Sequence, residues 1–449
     1  MERNLSKKGH KTMPGRRCFR LKVDINTQNR LKTARIKMSK TCPSHKANKT
    51  WPMVRLGDVC GTINGIWKGL RKPFVHVGII RSSNMTKNCE FSLDKTIYID
   101  VEEKKYTQRK LLAGDIIVER SGGGPGQPVG RAVYFDLEDG EYSVSNFTSI
   151  LRVKDANALN GKFLQLYLTS QYFQGATENI QSNTTGLHNL DFDAYLNFDV
   201  PLPPLSEQKE IVARLERELA AVEKMKKGFE ALAETAKAEY VAECRNIFDE
   251  IAQENPKVSL DDACEFIKDG THQTPTYTDD IHRGYKFLSS KDVVTGEIDW
   301  SKIRYIPKSL HDELYSHVAP QRGDILLAKN GTTGIGALVE TDEVFDIYVS
   351  LALLRFKARN NPRYLWYAVN SPQAREQYNA GLKGSGVPNL HLTEIRKVHI
   401  CLPSVQIQGE VVSELDAAKA RAEKLEVKAR EGVAVCETMR KAILKEAFE

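Results

Sequence analysis

An internal tandem repeat constrains this chain more than any other feature. Residues 51 to 250 and 255 to 449 read as two copies of one unit, each a mixed strand-and-helix stretch of about 150 residues followed by one long amphipathic helix. Leu56-Gly57-Asp58-Val59-Cys60 matches Leu260-Asp261-Asp262-Ala263-Cys264, and Ala113-Gly114-Asp115-Ile116-Ile117 matches Arg322-Gly323-Asp324-Ile325-Leu326. Leu151-Arg152-Val153 then matches Leu354-Arg355-Phe356, Gly186-Leu187-His188-Asn189-Leu190 matches Gly386-Val387-Pro388-Asn389-Leu390, and Leu202-Pro203 matches Leu402-Pro403. The offset stays between 200 and 209 throughout, so the chain is built to do one thing twice, at two places.

The charge is divided unevenly. Residues 1 to 50 carry 15 Lys and Arg against two acids, so the remaining 399 residues are left with a net charge of −6 despite an overall +7. A slightly acidic body has no broad attractive field for nucleic acid and has to bind it through local patches. Residues 1–50 lack apolar periodicity and read as a disordered basic tail, either a non-specific phosphate-binding arm or a solvated extension, with Met13, Met38 or Met53 as alternative starts. The first ten residues include Arg3, Lys7 and Lys8 and no apolar stretch, and apolar runs elsewhere are strand-length. The expectation is therefore a cytoplasmic protein without a secretory signal or membrane span. Eight cysteines show no C-x-x-C spacing, which argues for small buried hydrophobes rather than a zinc site or disulfide framework.

The fold class expected is α+β: two mixed α/β domains in tandem, 51–203 and 255–403, separated by long helices over 204–250 and 404–449. Strands are expected at Val75–Ile80, Asp115–Val118 and Thr148–Val153, with helices over Gly161–Gln174 and, in the second copy, Pro362–Tyr378. Ser206 is the expected cap of the first long helix. A heptad seam runs through Val411, Leu415, Ala418, Ala422, Leu425, Ala429, Gly432, Cys436, Met439 and Ile443, and two hundred residues earlier through Ile211, Leu215, Glu218, Val222, Met225, Phe229, Leu232 and Ala236. Each helix has one stripe to bury, and the other helix is its simplest partner.

Length decides their direction. A helix of about 42 residues is a rod of roughly 63 Å, whereas a compact 150-residue domain is roughly 40 Å across. The second globule must carry the chain from the end of one rod to the start of the next, which it can do only if those points are adjacent. Antiparallel rods follow, with the globules at opposite ends about a pseudo-twofold axis.

At this point the chain resembles the specificity subunit of Type I restriction-modification systems. The resemblance rests on Leu202-Pro203-Pro204-Leu205-Ser206-Glu207-Gln208 opening one long helix, Met439-Arg440-Lys441-Ala442-Ile443-Leu444-Lys445-Glu446-Ala447-Phe448 closing the other, and Gly-Asp-Ile before a Gly-rich turn in each copy. Glu119-Arg120-Ser121-Gly122-Gly123-Gly124 with Gln127-Pro128-Val129-Gly130-Arg131, and Asp269-Gly270-Thr271-His272-Gln273-Thr274-Pro275, are similar to particular recognition-domain classes. The resemblance implies a non-enzymatic reader of double-stranded DNA whose two target-recognition domains each bind half of a split, asymmetric site. It also implies that the helices set the unread gap and dock two adenine-N6 methyltransferase subunits, with restriction and translocation subunits joining for cleavage. No cofactor or metal is expected on this chain; S-adenosylmethionine, ATP and Mg²⁺ are expected on the partners. Two departures stand out: the basic tail is outside the pattern, and Ala238–Ile247 matches it less well than the end of the second helix.

Base readout needs donors and acceptors on loops held by a rigid scaffold. Arg120, Ser121 and Gly122, aligned with Lys329 and Asn330, fit a reading turn or a plain structural glycine turn, with Gln127 nearby. Asn183, Thr184, Thr185 and His188, matched by Lys383, Ser385 and Asn389, form a second polar loop. His272, Gln273, Thr274 and Tyr277 offer hydrogen-bonding groups in the second copy, while Lys68, Arg71 and Lys72 suit phosphates, which position without specifying. Gln208, Ile211, Leu215, Val222, Phe229, Leu232, Val411, Leu415, Leu425, Ile443, Leu444 and Phe448 are the expected helix-pairing and subunit-docking residues.

Catalytic readings find no footing. Ser121–Gly126 lacks the Lys-Ser/Thr of a P-loop, Asn361-Pro362-Arg363-Tyr364 has Arg where an amino-methyltransferase motif needs proline, and Asp100 with Glu102 and Lys104 is a chance nuclease-like cluster. The alternatives to a DNA reader are a coiled-coil adaptor for proteins and a self-sufficient methyltransferase or nuclease.

Overall fold

The computed structural model describes residues 51–124, 126–184, 186–293, 296–382 and 388–449. The basic tail, Thr185, Lys383 and Ser385 lie outside the described residues, and only the backbone of Thr184 is described.

Each copy folds around the same three sheets. In the first, Cys60–Asn64, Thr148–Val153, Ile116–Glu119 and Ala132–Tyr134 pair in that order, all antiparallel. In the second, Cys264–Asp269, Leu351–Phe356, Ile325–Ala328 and Gly336–Leu338 repeat the order. A three-stranded sheet accompanies each: Phe74–Ile80 lies between Ile97–Glu102 and the parallel Tyr142–Val144, as Tyr285–Leu288 lies between Arg304–Ile306 and the parallel Phe345–Ile347. Met53–Arg55 pairs with Asp199–Pro201, and Lys257–Ser259 with His399–Cys401, so each globule is stapled where its chain enters and leaves. The three strands expected from sequence form within a residue of their expected starts and ends.

The helix over Gly161–Phe173 forms as expected, capped by Asn160, whose side chain accepts from Phe163 N. Its counterpart does not run unbroken over Pro362–Tyr378. It is two helices, Pro362–Asn370 and Pro372–Ala380, because Pro372 has no N–H to continue the first and Ser371 caps the second by accepting from Ala374 N.

The two rods span Leu205–Glu254 (50 residues) and Val405–Glu446 (42 residues). The first continues to Glu254, past its expected end at residue 250, and stops before Asn255-Pro256. Ser206 does not cap it; Pro204 occupies the cap with no side-chain bond, so Ser206 already lies inside the first turn. In the second rod the matching position is Ser404, which does cap, accepting from Ile407 N.

The rods run antiparallel. Lys226 pairs with Glu437 at 3.5 Å and Arg421 with Glu243 at 2.7 Å, so contacts climb one rod as they descend the other. Phe229 lies against Gly432, where a Cβ would meet its ring at 2.5 Å. Along the second rod the buried seam is dominated by small residues, Ala418, Ala422, Ala429, Gly432 and Cys436, into which Val222 and Phe229 of the first can settle. Leu232 and Leu425 are half-buried on the same seam.

Both rod ends dock on the opposite globule's helix. Leu444 and Ala447 are buried in the first globule's core, and the Phe448 ring sits edge-on to Phe163 (5.5 Å) and Tyr167 (5.3 Å). At the other end Cys244, Ile247, Phe248 and Ile251 enter the second core, with Phe248 6.0 Å from the Tyr364 ring. The weaker sequence match over Ala238–Ile247 therefore coexists with equivalent docking, Phe248 standing 200 residues before Phe448. The rod starts bind their own globules through Ile211 and Leu215, and through Val411 and Leu415. Gln208 is wholly buried and faces its own globule rather than a second subunit: its amide accepts from Asn160 N (2.7 Å) and donates to Ala158 O and Pro203 O. Gln408 repeats this, accepting from Asn361 N and donating to Asn360 Oδ1 and Pro403 O.

The seam makes a testable distinction among helical glycines. Gly228 and Gly409 face open space, so Gly→Ala at either raises stability by up to about 1 kcal/mol through helix propensity. Gly432→Val drives a side chain into the Phe229 ring and costs about 1–3 kcal/mol, read by chemical denaturation of the three variants side by side.

Candidate nucleic-acid interface

The Gly-Asp-Ile and Leu-Arg motifs, noticed separately in the sequence, are two halves of one ion pair. Arg152 Nε and Nη2 donate to the two carboxylate oxygens of Asp115, each at 2.7 Å, and Asp115 also accepts from Leu112 N. Arg355 does the same to Asp324 at 2.9 and 2.7 Å, with Gln321 N as the matching extra donor. In both copies the carboxylate holds the guanidinium pKa above its ordinary value. Gly114 and Gly323, at φ +99° and +94°, supply the left-handed turn that brings the aspartate to the arginine. This pair fixes the central strand of each globule, and the strand's far end carries the candidate reading turn.

In the first globule the turn is tightly braced. Glu119 and Arg131, both buried, form a bidentate pair at 2.8 and 2.6 Å, and Arg131 also donates to Met85 O. Burial alone would lower the Arg131 pKa, but Glu119 holds it above the ordinary value. The Gly-rich segment between them is pinned further by Val129 N donating to Gln181 Oε1 and Tyr172 OH to Pro128 O. Gln127 lies beside the Arg131 guanidinium, with Nη2 3.2 Å from its side-chain amide, which is satisfied when the amide oxygen faces the arginine.

The two polar loops expected from sequence come together here. Ser121–Gly122 pairs with Leu187–Leu190, which pairs with Gln181–Thr184, so Ser121, Gly122, Asn183 and His188 share one small sheet, and Arg120 sits immediately before it with its carbonyl accepting from Leu190 N. Ser121 Oγ bonds Asn189, and His188 Nδ1 is buried with no hydrogen-bond partner among the described residues. Arg120 is half-buried: Nη1 donates to Asn64 Oδ1 (3.1 Å) and the guanidinium lies 4.6 Å from the Phe192 ring centre. In the second globule Asn330 bridges Asn389 at the equivalent place. Lys329, however, is 6% exposed, and its Nζ is 2.6 Å from Asp269 Oδ2.

The remaining candidates occupy exposed loops that follow the first strand of each four-stranded sheet. Lys68, Arg71 and Lys72 are exposed in the first, beside Trp67 (67% exposed) and Leu70 (88%). His272, Gln273, Thr274 and Tyr277 are exposed in the second, with His272 Nε2 3.3 Å from Asp269 and Arg304 stacked 4.5 Å over Tyr277. Trp67 and the exposed Phe147, whose carbonyl accepts from Arg120 N, were not legible as surface residues, since aromatic side chains in strand-rich sequence read first as core.

The catalytic look-alikes have structural duties. Asn361 caps the helix that Pro362 begins, Arg363 pairs with Asp416 at 3.0 Å, and Tyr364 is buried with its hydroxyl on Cys401 O. Asp100 meets His76, and Glu102 accepts from Leu70 N and pairs with Lys105. Six cysteines are buried, and burial pushes the thiols of Cys60, Cys89 and Cys264 up to about 12, which makes them inert.

The model of the Type I restriction modification DNA specificity domain matches twice, at residues 48–229 and 259–431. The chain belongs to that family. Each match begins at a globule and runs into the rod that follows it. The chain is 23% identical over 392 residues to the Type I restriction enzyme EcoKI specificity subunit of Escherichia coli K12, covering 83% of this chain and 82% of that protein. It is 25% identical over 252 residues to the MjaVIII specificity subunit of Methanocaldococcus jannaschii, covering 52% of this chain and 58% of that one. A solved chain from a study of assembly and conformational transition of the type I R-M system superimposes with a TM-score of 0.65 at 18% identity, covering 89% of this chain and 97% of that one. The HsdS subunit of Thermoanaerobacter tengcongensis gives 0.50 at 18% identity, over 90% of this chain and 98% of that one. No described helix is long and apolar enough to cross a membrane.

The buried pair beneath the candidate reading turn gives a direct test of how the turn is held. Glu119→Ala leaves Arg131 buried without its counter-charge and costs about 3–5 kcal/mol, measured by denaturant unfolding. Replacing Arg322, whose partner Asp342 is exposed, costs less than about 1 kcal/mol in the same assay.

Proposed function

We propose that this chain is the DNA sequence-recognition subunit of a Type I restriction-modification complex. Each globule reads one half of a bipartite, asymmetric site in double-stranded DNA, and the paired rods set the length left unread between the halves. One observation carries this reading: two copies of one globule are clamped at opposite ends of an antiparallel helix pair, each gripped by the start of one rod and the end of the other. Such an arrangement has an approximate twofold axis across the rods, matching the local symmetry of the duplex phosphate backbone, while the differing loops of the globules read unlike sequences.

The chain acts without a catalytic site of its own. Its rods dock two adenine-N6 methyltransferase subunits, and restriction and translocation subunits join that core. S-adenosylmethionine, ATP and Mg²⁺ belong to those partners. The polar loops around Arg120 and Asn183 in one globule, and around His272 and Asn330 in the other, face base edges, while Lys68, Arg71 and Lys72 meet phosphates.

Modularity is the property to test. Exchanging residues 51–203 for the equivalent domain of another family member alters one half-site and leaves the other intact, as read by methylome sequencing of a host carrying the chimera and its methyltransferase partner. Removing one helical turn from each rod, about 5.4 Å, shortens the unread gap by roughly one to two base pairs and leaves both half-sites unchanged. A chimera that changed both half-sites would refute the reading.

A further inference from the structure

The two globules hold a basic side chain at the same scaffold position and treat its charge in opposite ways. Arg120 and Lys329 each follow the central strand, donate their backbone N–H to Phe147 O and Ser350 O, and accept from Leu190 N and Leu390 N. The residue facing each is the last of the strand two places away in the same sheet, Asn64 in one and Asp269 in the other. Both are followed by a glycine whose Cβ would strike backbone at about 2 Å, Ser145 O for Gly65 and Ile347 O for Gly270, so the facing residues are equivalent in space as well as in order.

Asn64 offers Arg120 a neutral amide oxygen, and the other contacts of the guanidinium are the Ser149 hydroxyl and the face of Phe192. Among the described residues no carboxylate pairs with it, and its neighbour Glu119 is fully engaged by Arg131. Its positive charge is therefore held in a fixed orientation and left uncompensated. Lys329 is buried against Asp269 at 2.6 Å, and its charge is cancelled before any ligand arrives. Asp269 also draws in His272, which is 75% exposed at the side chain.

We infer that Arg120 is a sequence- or phosphate-contacting residue of the first globule, whereas in the second the Asp269–Lys329 pair locks that position shut and passes the contact to the exposed loop from His272 to Tyr277. The inference rests on the DNA reading proposed above. The ligand chemistry is that of DNA hydrogen-bond acceptors, either a guanine edge or a phosphate oxygen. A guanine edge engages the guanidinium through two parallel bonds, and a phosphate engages it as a charge.

Two substitutions exchange the two states. Asn64→Asp gives Arg120 the partner that Lys329 already has, and Asp269→Asn removes the partner that Lys329 holds. Each is assayed in the full chain assembled with its methyltransferase partner, by DNA binding across a salt series and by methylome sequencing, with thermal unfolding as the check on folding. Asn64→Asp weakens DNA binding or first-half-site methylation about 10-fold or more, and Asn64→Ala, which adds no charge, loses several-fold less. A guanine contact shows as relaxed choice at one base of the first half-site; a phosphate contact shows as uniform weakening with a salt slope shallower by about 0.9. Asp269→Asn tightens binding with a steeper slope, and adding Lys329→Met abolishes that gain, which a general loss of negative charge would not do. The inference is overturned if folded Asn64→Asp behaves like Asn64→Ala, or if the gain from Asp269→Asn survives Lys329→Met. If the unsubstituted chain with its partner shows no sequence-specific methylation, the DNA reading falls and takes this inference with it.

Discussion

The rest of the structure depends on the packing of two long helices against each other in opposite directions. Neither rod has an apolar surface broad enough to stand alone, and a single exposed helix of that length gains little from propensity. Paired, they bury the small-residue seam of one under the larger side chains of the other, with Phe229 over Gly432 as the tightest approach. The pairing also joins what the chain separates. Phe448, near the chain end, completes the first globule's core, and Phe248 completes the second, so each globule is finished by a rod that belongs to the other copy. Fully burying a phenylalanine contributes about 1.5–3 kcal/mol, a range that applies to Phe248 and is an upper bound for the partly buried Phe448, and this couples globule stability to rod geometry at both ends.

Polar fasteners make that coupling directional. Gln208 and Gln408 spend both faces of a buried amide on backbone groups around the rod starts, which sets the angle at which each rod leaves its globule. A hydrophobic contact would tolerate rotation there; satisfied hydrogen bonds in a dry site do not. The Asp115–Arg152 and Asp324–Arg355 pairs do the same inside the sheets, tying the central strand to its neighbour and fixing where the candidate reading turn begins. Distance between the two candidate reading turns is thereby a property of the whole scaffold and not of any one loop.

What the sequence disclosed follows the range of the interactions involved. The heptad seam, the rod direction and the repeated strands were legible because they rest on local periodicity and on chain length. The cap at Ser206 and the unbroken helix over Pro362–Tyr378 were misread because a proline one or two residues away changed the outcome, Pro204 by taking the cap position and Pro372 by breaking the ladder. The Gly-Asp-Ile and Leu-Arg motifs were visible, but their union was not, since 37 residues and a sheet register stand between Asp115 and Arg152. Surface residues were the least legible. Arg120 and Lys329 look alike in an alignment of the two copies, and only the identity of the facing residue, from a strand about 60 residues earlier, separates an uncompensated charge from a cancelled one.

That last contrast bears on how a duplicated scaffold can serve an asymmetric task. Duplication alone supplies two identical readers, and identical readers about a twofold axis suit a palindrome. Asymmetry has to enter through side chains that alter the surface without disturbing the frame. A change between Asn and Asp at the end of a strand meets that requirement. It leaves the strand, the following glycine and the backbone bonds of the turn intact, yet it shifts the local charge by one unit at the place where the turn faces outward. The frame elements that recur in both globules, the buried glutamines and the aspartate–arginine pairs, lie beneath that surface and make no distinction between the copies. Reading specificity can therefore diverge while the spacing stays fixed, because the two properties reside in different layers of the same fold.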